Sequence, residues 1–330
     1  MRVLITGAAG MIGRKLTESI VRQGHLGGRE VTALDLTDVV APTPPEGAPE
    51  GLREAADISA PDTAARLIGR RPDVIVHLAA IPSGGAEEFF EKGYAVNFDG
   101  TRFLLEAIRA EGLAEPYCPK VVFSSTIAVF GAPFPDRIGD EFICAPLTSY
   151  GAQKVMGEML VCDYTRRGFL DGIAIRLPTI CIRPGKPNLA ASGFFSNILR
   201  EPLAGRPANL PVAEDVRHWF ASPRAAVGFI HHAVEMDLTR LGPRRAINMP
   251  GLSATVTEEI EALRRVAGEK AVALITREPD PAIIEIVAGW PRDFHPRRAL
   301  DLGFRAERSF DEIIRAHIED ELGGEIPVNA

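Results

Sequence analysis

The sequence predicts an α/β protein, a doubly wound parallel sheet with a smaller C-terminal lobe. Strand-length apolar runs alternate with amphipathic helical stretches through the first half of the chain, the pattern that builds βαβ units. A glycine-rich turn follows the first apolar run directly. After Ile180 the alternation gives way to proline- and glycine-rich segments such as "RPGKPNLAASGFF". The expected division is a sheet domain over 1–180, to which about 216–250 returns, and an interleaved lobe over 181–330.

In chain order, "RVLITG" is the first strand, and "GRKLTESIVRQG" is an amphipathic helix that Gly24 ends. "EVTALDL" is the second strand, the segment 41–51 is loop, and "LREAADI" is the third strand. "TAARLIGRR" is helical, and "DVIVHLAA" is apolar throughout, as a strand buried on both faces is. A long helix over about 86–112 leads to the strand "KVVFSST", and a helix over about 149–168 leads to "GIAIRLPTI". Right-handed crossovers then place a ligand crevice at the carboxyl ends of the strands. Later, the helices "VTEEIEALRRVAG" and "FDEIIRAHIEDELGG" surround a short strand, "AVALITR".

The chain has 330 residues, 46% hydrophobic and 25% charged, with a net charge of -7. This acidic balance argues against nucleic acid or an anionic membrane as the main partner, since both call for a basic face. No stretch approaches membrane-span length, and "MRVLITG" enters a strand with no signal-peptide core before it, so the expectation is a cytoplasmic protein with a small-molecule partner. Four scattered cysteines form no C-x-x-C pair and point to reduced thiols. The seven histidines show no ligand spacing, so no metal is expected.

"TGAAGMIG" sets Gly7, Gly10 and Gly13, with Met11 and Ile12 between the last two, at a strand-to-helix turn. Glycine permits close backbone approach there, and the helix N-terminus offers free N–H groups to a pyrophosphate. Asp35 follows at roughly the ~20-residue distance expected of a carboxylate that binds adenosine ribose. Its charge would repel a 2′-phosphate, and neither Leu36 nor Thr37 compensates, so NAD is expected rather than NADP. Asp57 and Ile58, after the third strand, stand where an adenine edge could be held, although Asp57 also fits a plain strand end.

These glycines, Asp35, "HLAA", "VNFDGT", "VFSST" and "YGAQK" occur in the order of the extended short-chain dehydrogenase/reductase family, which the chain resembles over nearly its whole length. The resemblance implies a Rossmann fold, with Leu78, Ala79 and Ala80 against the cofactor, Asn97 on the following helix, and Pro178 and Thr179 near the nicotinamide amide. It also implies a Thr126, Tyr150 and Lys154 triad. Tyr150 and Lys154 lie one helical turn apart on one face. A free phenol has a pKa of ~10, and a nearby ammonium together with an oxidised nicotinamide would favour its ionised form. Tyr150 would take the hydroxyl proton, Lys154 would bind the nicotinamide ribose, and Thr126 would orient the alcohol, with Ser124 and Ser125 as rivals. Family members usually dimerise through the two long helices, so a homodimer is expected.

The stretches "HLAAIPSG", "SSTIAVFGAPFPD", "LPTICIRPGKPN" and "VRHWFASPRAAVGF" resemble a branch that oxidises C2 of D-erythronate, a four-carbon sugar acid, to the 2-oxo acid with NAD. Such an acid needs a cationic fork for its carboxylate, for which Arg183 and Arg217 are the candidates. Ser83, Ser125, Thr179 and Asn188 could bind its hydroxyls, with Thr126 and Tyr150 at the reacting carbon. His218 and Trp219 could close the pocket, Trp219 equally being core, and His77 fits a satisfied buried histidine. A nucleotide-sugar epimerase or dehydratase would share the triad and NAD but need a stacking platform that the aromatic-poor second half does not offer. A non-catalytic NAD-binding protein would not need the complete triad.

Overall fold

The computed structural model describes residues 1–185 and 191–329. The apolar runs become strands β1 (Arg2–Thr6), β2 (Ala33–Asp38), β3 (Arg53–Ala55), β4 (Val74–His77), β5 (Lys120–Thr126) and β6 (Asp171–Leu177). A seventh, β7 (Ala246–Asn248), comes from the second half of the chain. They form one parallel sheet in the order β7-β6-β5-β4-β1-β2-β3. The order reverses beside β1, so β1 and β4 diverge around a crevice at their carboxyl ends, where such folds take their ligands.

Helices α1 (Met11–Gln23), α2 (Pro61–Ile68), α3 (Ser83–Glu88), α4 (Gly100–Ala114) and α5 (Ser149–Arg166) cover the sheet. The long helix expected over 86–112 is broken. It begins at Ser83, kinks at Phe89 (φ -116°, ψ 67°), and passes through a π-helical turn at Tyr94–Asp99 before α4. The cause lies in packing. A Cβ on Gly93 would stand 2.9 Å from the Gln153 amide nitrogen of α5, and the widened turn carries Asn97 inward to the same glutamine.

The remaining chain builds α6 (Gly193–Leu203), α7 (Pro223–Glu235), α8 (Val256–Ala267), α9 (Pro281–Ala288) and α10 (Phe310–Glu321). A three-stranded sheet joins Thr179–Ile180, Arg217–Ala221 and Leu252–Thr255. The α6 residues Phe195, Ile198 and Leu199 form a separate apolar core with Ile260, Leu263, Ile313 and Ile314 of α8 and α10. Of "AVALITR", only Ile275–Arg277 is a strand; Glu269–Val272 is a helical turn, because Ala271 and Val272 turn inward onto that core. Among the described residues no helix is long and apolar enough to cross a membrane, and no acidic, histidine or cysteine cluster could hold a metal ion.

Candidate active site

A cavity of about 430 Å³ opens where the carboxyl ends of β1, β4, β5 and β6 face α6 and the turn before Phe294. Its floor is the glycine turn. Gly7 has φ +74°, and a Cβ there would lie 2.6 Å from Ala79 N; a Cβ on Gly13 would meet the Ala8 backbone at 2.7 Å. A side chain at either position would collide with backbone, so the tight turn requires glycine at both. Helix α1 starts from Gly10 with no side-chain cap and no acid in its first turn, so its N–H groups are open to an anion. Gly7, Gly10, Met11, Ile12 and Gly13 all line the cavity, as do Leu78, Ala80 and Pro178. Ala79 packs behind the wall against the second apolar core of the sheet.

Asn97 also stands behind the wall. Its side chain exchanges hydrogen bonds with Ile81 N and O at 2.7 and 3.0 Å and donates to Gln153 at 2.7 Å, which pins the chain after β4 to α5. Ile58 is core, and Asp57 is exposed and accepts from Ser59.

Asp35 requires a correction. It is buried within β2 on the face away from the turn, paired with Arg2 and Arg70 at 3.0 Å each and accepting from Leu52 N at 2.7 Å. Burial would raise its pKa, but the bonds from Arg70, Leu52 and Arg2 outweigh that and hold it below the usual carboxylate value. Asp38, at the end of β2, is the acid that meets the turn, accepting from Ala9 N at 2.9 Å. Alternate strand positions point to opposite faces, so two acids three apart diverge. The sequence signal was available in the strand's last residue; the expected strand ended too early.

Tyr150 opens α5, where the Thr148 hydroxyl accepts from Gly151 N as N-cap. Burial pushes the Tyr150 phenol up to about 12, opposed by the positive charge of Arg183. Lys154 is buried and donates to Ser124 O at 2.8 Å, with its nitrogen 5.8 Å from the Tyr150 ring centre. Burial lowers it to about 7, and the carboxylate of Glu158 opposes the fall. The expectation puts Lys154, with an oxidised nicotinamide, beside the phenol; Arg183 is a further positive charge near it.

The three hydroxyls at the end of β5 separate clearly. Ser124 donates to His77 O at 3.1 Å. Ser125, expected to meet substrate, donates to Glu158 at 2.5 Å, a carboxylate that Arg176 also holds at 2.7 Å, so its proton is committed inside the sheet. Thr126 accepts from Ala128 N at 3.1 Å and keeps its proton for the cavity. His77, between Thr6 and Thr101 at 2.7 and 3.0 Å, is the satisfied buried histidine expected, its pKa lowered to about 3 by burial.

Ser83, Thr179 and Arg183 line the cavity. Arg183 donates Nε to Ile180 O at 3.1 Å and Nη2 to Ser192 at 3.0 Å, and among the described residues it pairs with no carboxylate. Neighbouring Arg200, which sequence reasoning missed, is already paired with Glu201 at 2.7 Å. Arg217 turns away from the cavity: it pairs with Glu258 at 3.2 Å and bonds Ser253, because its neighbour His218 takes the inward face of the same strand. Trp219 is buried against Phe294 and belongs to the core, while Trp290 joins the cavity wall. Asn188 lies outside the described residues.

Residues 3–223 match the model of the NAD dependent epimerase/dehydratase family. The chain belongs to this family. It is an NAD-dependent oxidoreductase, and the glycine cradle, the uncapped α1 and the acid at the end of β2 suit that dinucleotide. It is 45% identical to a D-erythronate dehydrogenase of Cupriavidus necator, covering 97% of this chain and 98% of that one. A second D-erythronate dehydrogenase, from Haemophilus influenzae, is 41% identical over 98% of this chain and all of its own. A crystal structure described as the nucleoside-diphosphate-sugar epimerase from Agrobacterium tumefaciens is 60% identical, with a TM-score of 0.97 over 99% of this chain and 96% of that one.

Proposed function

We propose that this protein oxidises the C2 hydroxyl of D-erythronate to the 2-oxo acid with NAD. The observation that carries the reading is Arg183, a guanidinium without a carboxylate partner among the described residues, facing the same cavity as Thr126, Tyr150 and Lys154. A small acid supplies the missing anion through a planar two-oxygen contact. The two D-erythronate dehydrogenases, similar over nearly their whole length, support the same substrate.

In this reading the turn at Gly7 to Gly13 holds the pyrophosphate, Asp38 the adenosine ribose, and Leu78, Ala80 and Pro178 flank the nicotinamide end. NAD, when bound, supplies the acceptor for hydride from C2. The chain's own residues do the rest. Thr126 donates its free proton to the substrate oxygen and so orients it. Tyr150 accepts the hydroxyl proton at its phenolic oxygen. Burial holds the phenol at about 12 even with the charge of Arg183 beside it, so acting as a base requires further positive charge, which an oxidised nicotinamide would supply when bound. Lys154, anchored on Ser124 O, faces the nicotinamide ribose. Ser83 and Thr179 remain for the outer hydroxyls, and the wall from Gly289 to Pro291 limits water at the reacting carbon.

The name given to the Agrobacterium tumefaciens structure raises nucleotide-sugar epimerisation as the second reading. NADH formation at 340 nm with D-erythronate, L-threonate, D-threonate and a UDP-sugar separates them. The expected result is turnover of D-erythronate, lost in Tyr150→Phe, with KM raised by about two orders of magnitude in Arg183→Met. Silence on every acid, with interconversion of the UDP-sugar, would overturn the proposal.

A further inference from the structure

Thr179 and His218 meet in the wall of the cavity, and their hydrogen bonds have a forced direction. His218 Nδ1 lies 2.8 Å from the Pro291 carbonyl oxygen. A carbonyl can only accept, so Nδ1 carries the ring proton. The ring is 3% exposed, stacks parallel to Phe195 at 5.3 Å, and is flanked by Phe220 and Trp290 at 5.4 and 5.2 Å. Burial lowers its pKa to about 4, outweighing the bond to Pro291 O that favours the charged ring, with the nearby charge of Arg183 acting in the same sense as burial, so the ring is neutral at ordinary pH. Its Nε2 therefore has a lone pair and no proton. Thr179 Oγ1 lies 2.6 Å from it and must donate. A threonine hydroxyl has one proton, and this one points at the imidazole, which leaves only lone pairs for the cavity.

We propose that His218 holds the Thr179 hydroxyl as an obligate acceptor, making this wall a specificity element that selects acids with a hydroxyl donor beyond the reacting carbon. His218 is the positioning residue and Thr179 the contact. The inference rests on the sugar-acid reading above and adds to it the recognition of the C3 or C4 hydroxyl. An acid without that hydroxyl leaves a cavity acceptor unpaired, and sites that bind a substrate hydroxyl discriminate more sharply than apolar pockets do. The positive charge of Arg183 nearby disfavours an ammonium as the donor, which leaves a neutral hydroxyl. The carboxamide of a bound nicotinamide would be an alternative neutral donor to the same acceptor, and the test separates the two.

The experiment compares kcat/KM for the full C4 acid with that for analogues lacking either the C3 or the C4 hydroxyl, in wild type, Thr179→Val, Thr179→Ser and His218→Phe. NAD affinity is measured separately by fluorescence with no acid present. Wild type is expected to prefer the full acid over one deoxy analogue by about tenfold to a hundredfold. Thr179→Val compresses that ratio to within about threefold by losing activity on the full acid alone, with NAD affinity unchanged. Thr179→Ser restores the ratio, which a merely structural role for the side chain would not require. His218→Phe, which fits the aromatic surround, compresses it too by freeing the hydroxyl to rotate. Turnover with the ratio unchanged in Thr179→Val, or weakened NAD binding in its place, would overturn this inference while leaving the proposed reaction standing. Silence on every acid removes both. Nitrogen NMR shifts showing His218 protonated at Nε2 would overturn the inference whatever the substrate.

Discussion

Asp35 and Asp38 share one strand, and their odd spacing sends one carboxylate into the sheet and the other to the glycine turn. Asp38→Ser is expected to raise the KM for NAD by at least about tenfold and to narrow the preference for NAD over NADP, because it removes both the proposed ribose acceptor and a charge that would repel a 2′-phosphate. Asp35→Asn should leave those constants unchanged and lower stability by on the order of 2 kcal/mol. That is below the roughly 3–5 kcal/mol for breaking a fully buried pair, since Arg2 and Arg70 are themselves about one-third exposed. The Asp35 pKa is depressed on folding, so its contribution is present above the unfolded carboxylate value and fades as acid brings the pH through the folded one. Equal NAD kinetics in Asp38→Ser would refute the assignment. The acids were both visible in the sequence, but which faced the turn depended on where the strand ended. Similarly, "SST" showed three hydroxyls, and only the partners Glu158 and His77 O, brought in from other elements, reveal that Thr126 keeps its proton.

Helix α8 shows the same contrast between what is local and what is not. Its start is encoded in four residues, Thr255 and Glu258 forming a capping box. The next residue, Glu259, is fully buried, and neither carboxylate oxygen has a hydrogen-bond partner among the described residues. Burial pushes its carboxyl well above the ordinary value. A folded pKa raised in this way costs nothing below the unfolded value and destabilises by about 1.4 kcal/mol per pH unit between the unfolded and folded values. Glu259→Met, of similar volume and without orphan oxygens, should therefore stabilise the protein, with a gain in urea midpoint that is larger at pH 8 than at pH 5. A loss of stability at both pH values would contradict this. Sequence periodicity located α1 and α8, and apolar runs located β1 to β6, because each carries its pattern within itself. It missed the break before α4, since the π-helical turn follows from Gln153 on another helix approaching Gly93. It likewise ran "AVALITR" into one strand, because the inward turn of Ala271 and Val272 is set by the core they meet.

At the scale of the molecule, the sheet and the second lobe have separate apolar cores, and the cavity lies where they face one another. Thr126, Tyr150 and Lys154 come from the sheet side, whereas Arg183, His218 and Trp290 come from segments after β6, which explains why motif spacing reached the first set and left two arginines open. Two helices on the sheet remain incompletely covered. Leu113 of α4 is 70% exposed and Met159 of α5 is 54% exposed, and Phe89 and Phe90 are half exposed before α4. Large apolar side chains in water on helices that already bury their other faces favour association through those helices. A dimer is therefore expected in sedimentation equilibrium at micromolar concentration, persisting in high salt because apolar contact is not screened as charge pairs are. Met159→Glu should shift it toward monomer without changing the NAD affinity of the folded chain, since Met159 does not line the cavity. A wild-type monomer at micromolar concentration would exclude this face as a self-association surface.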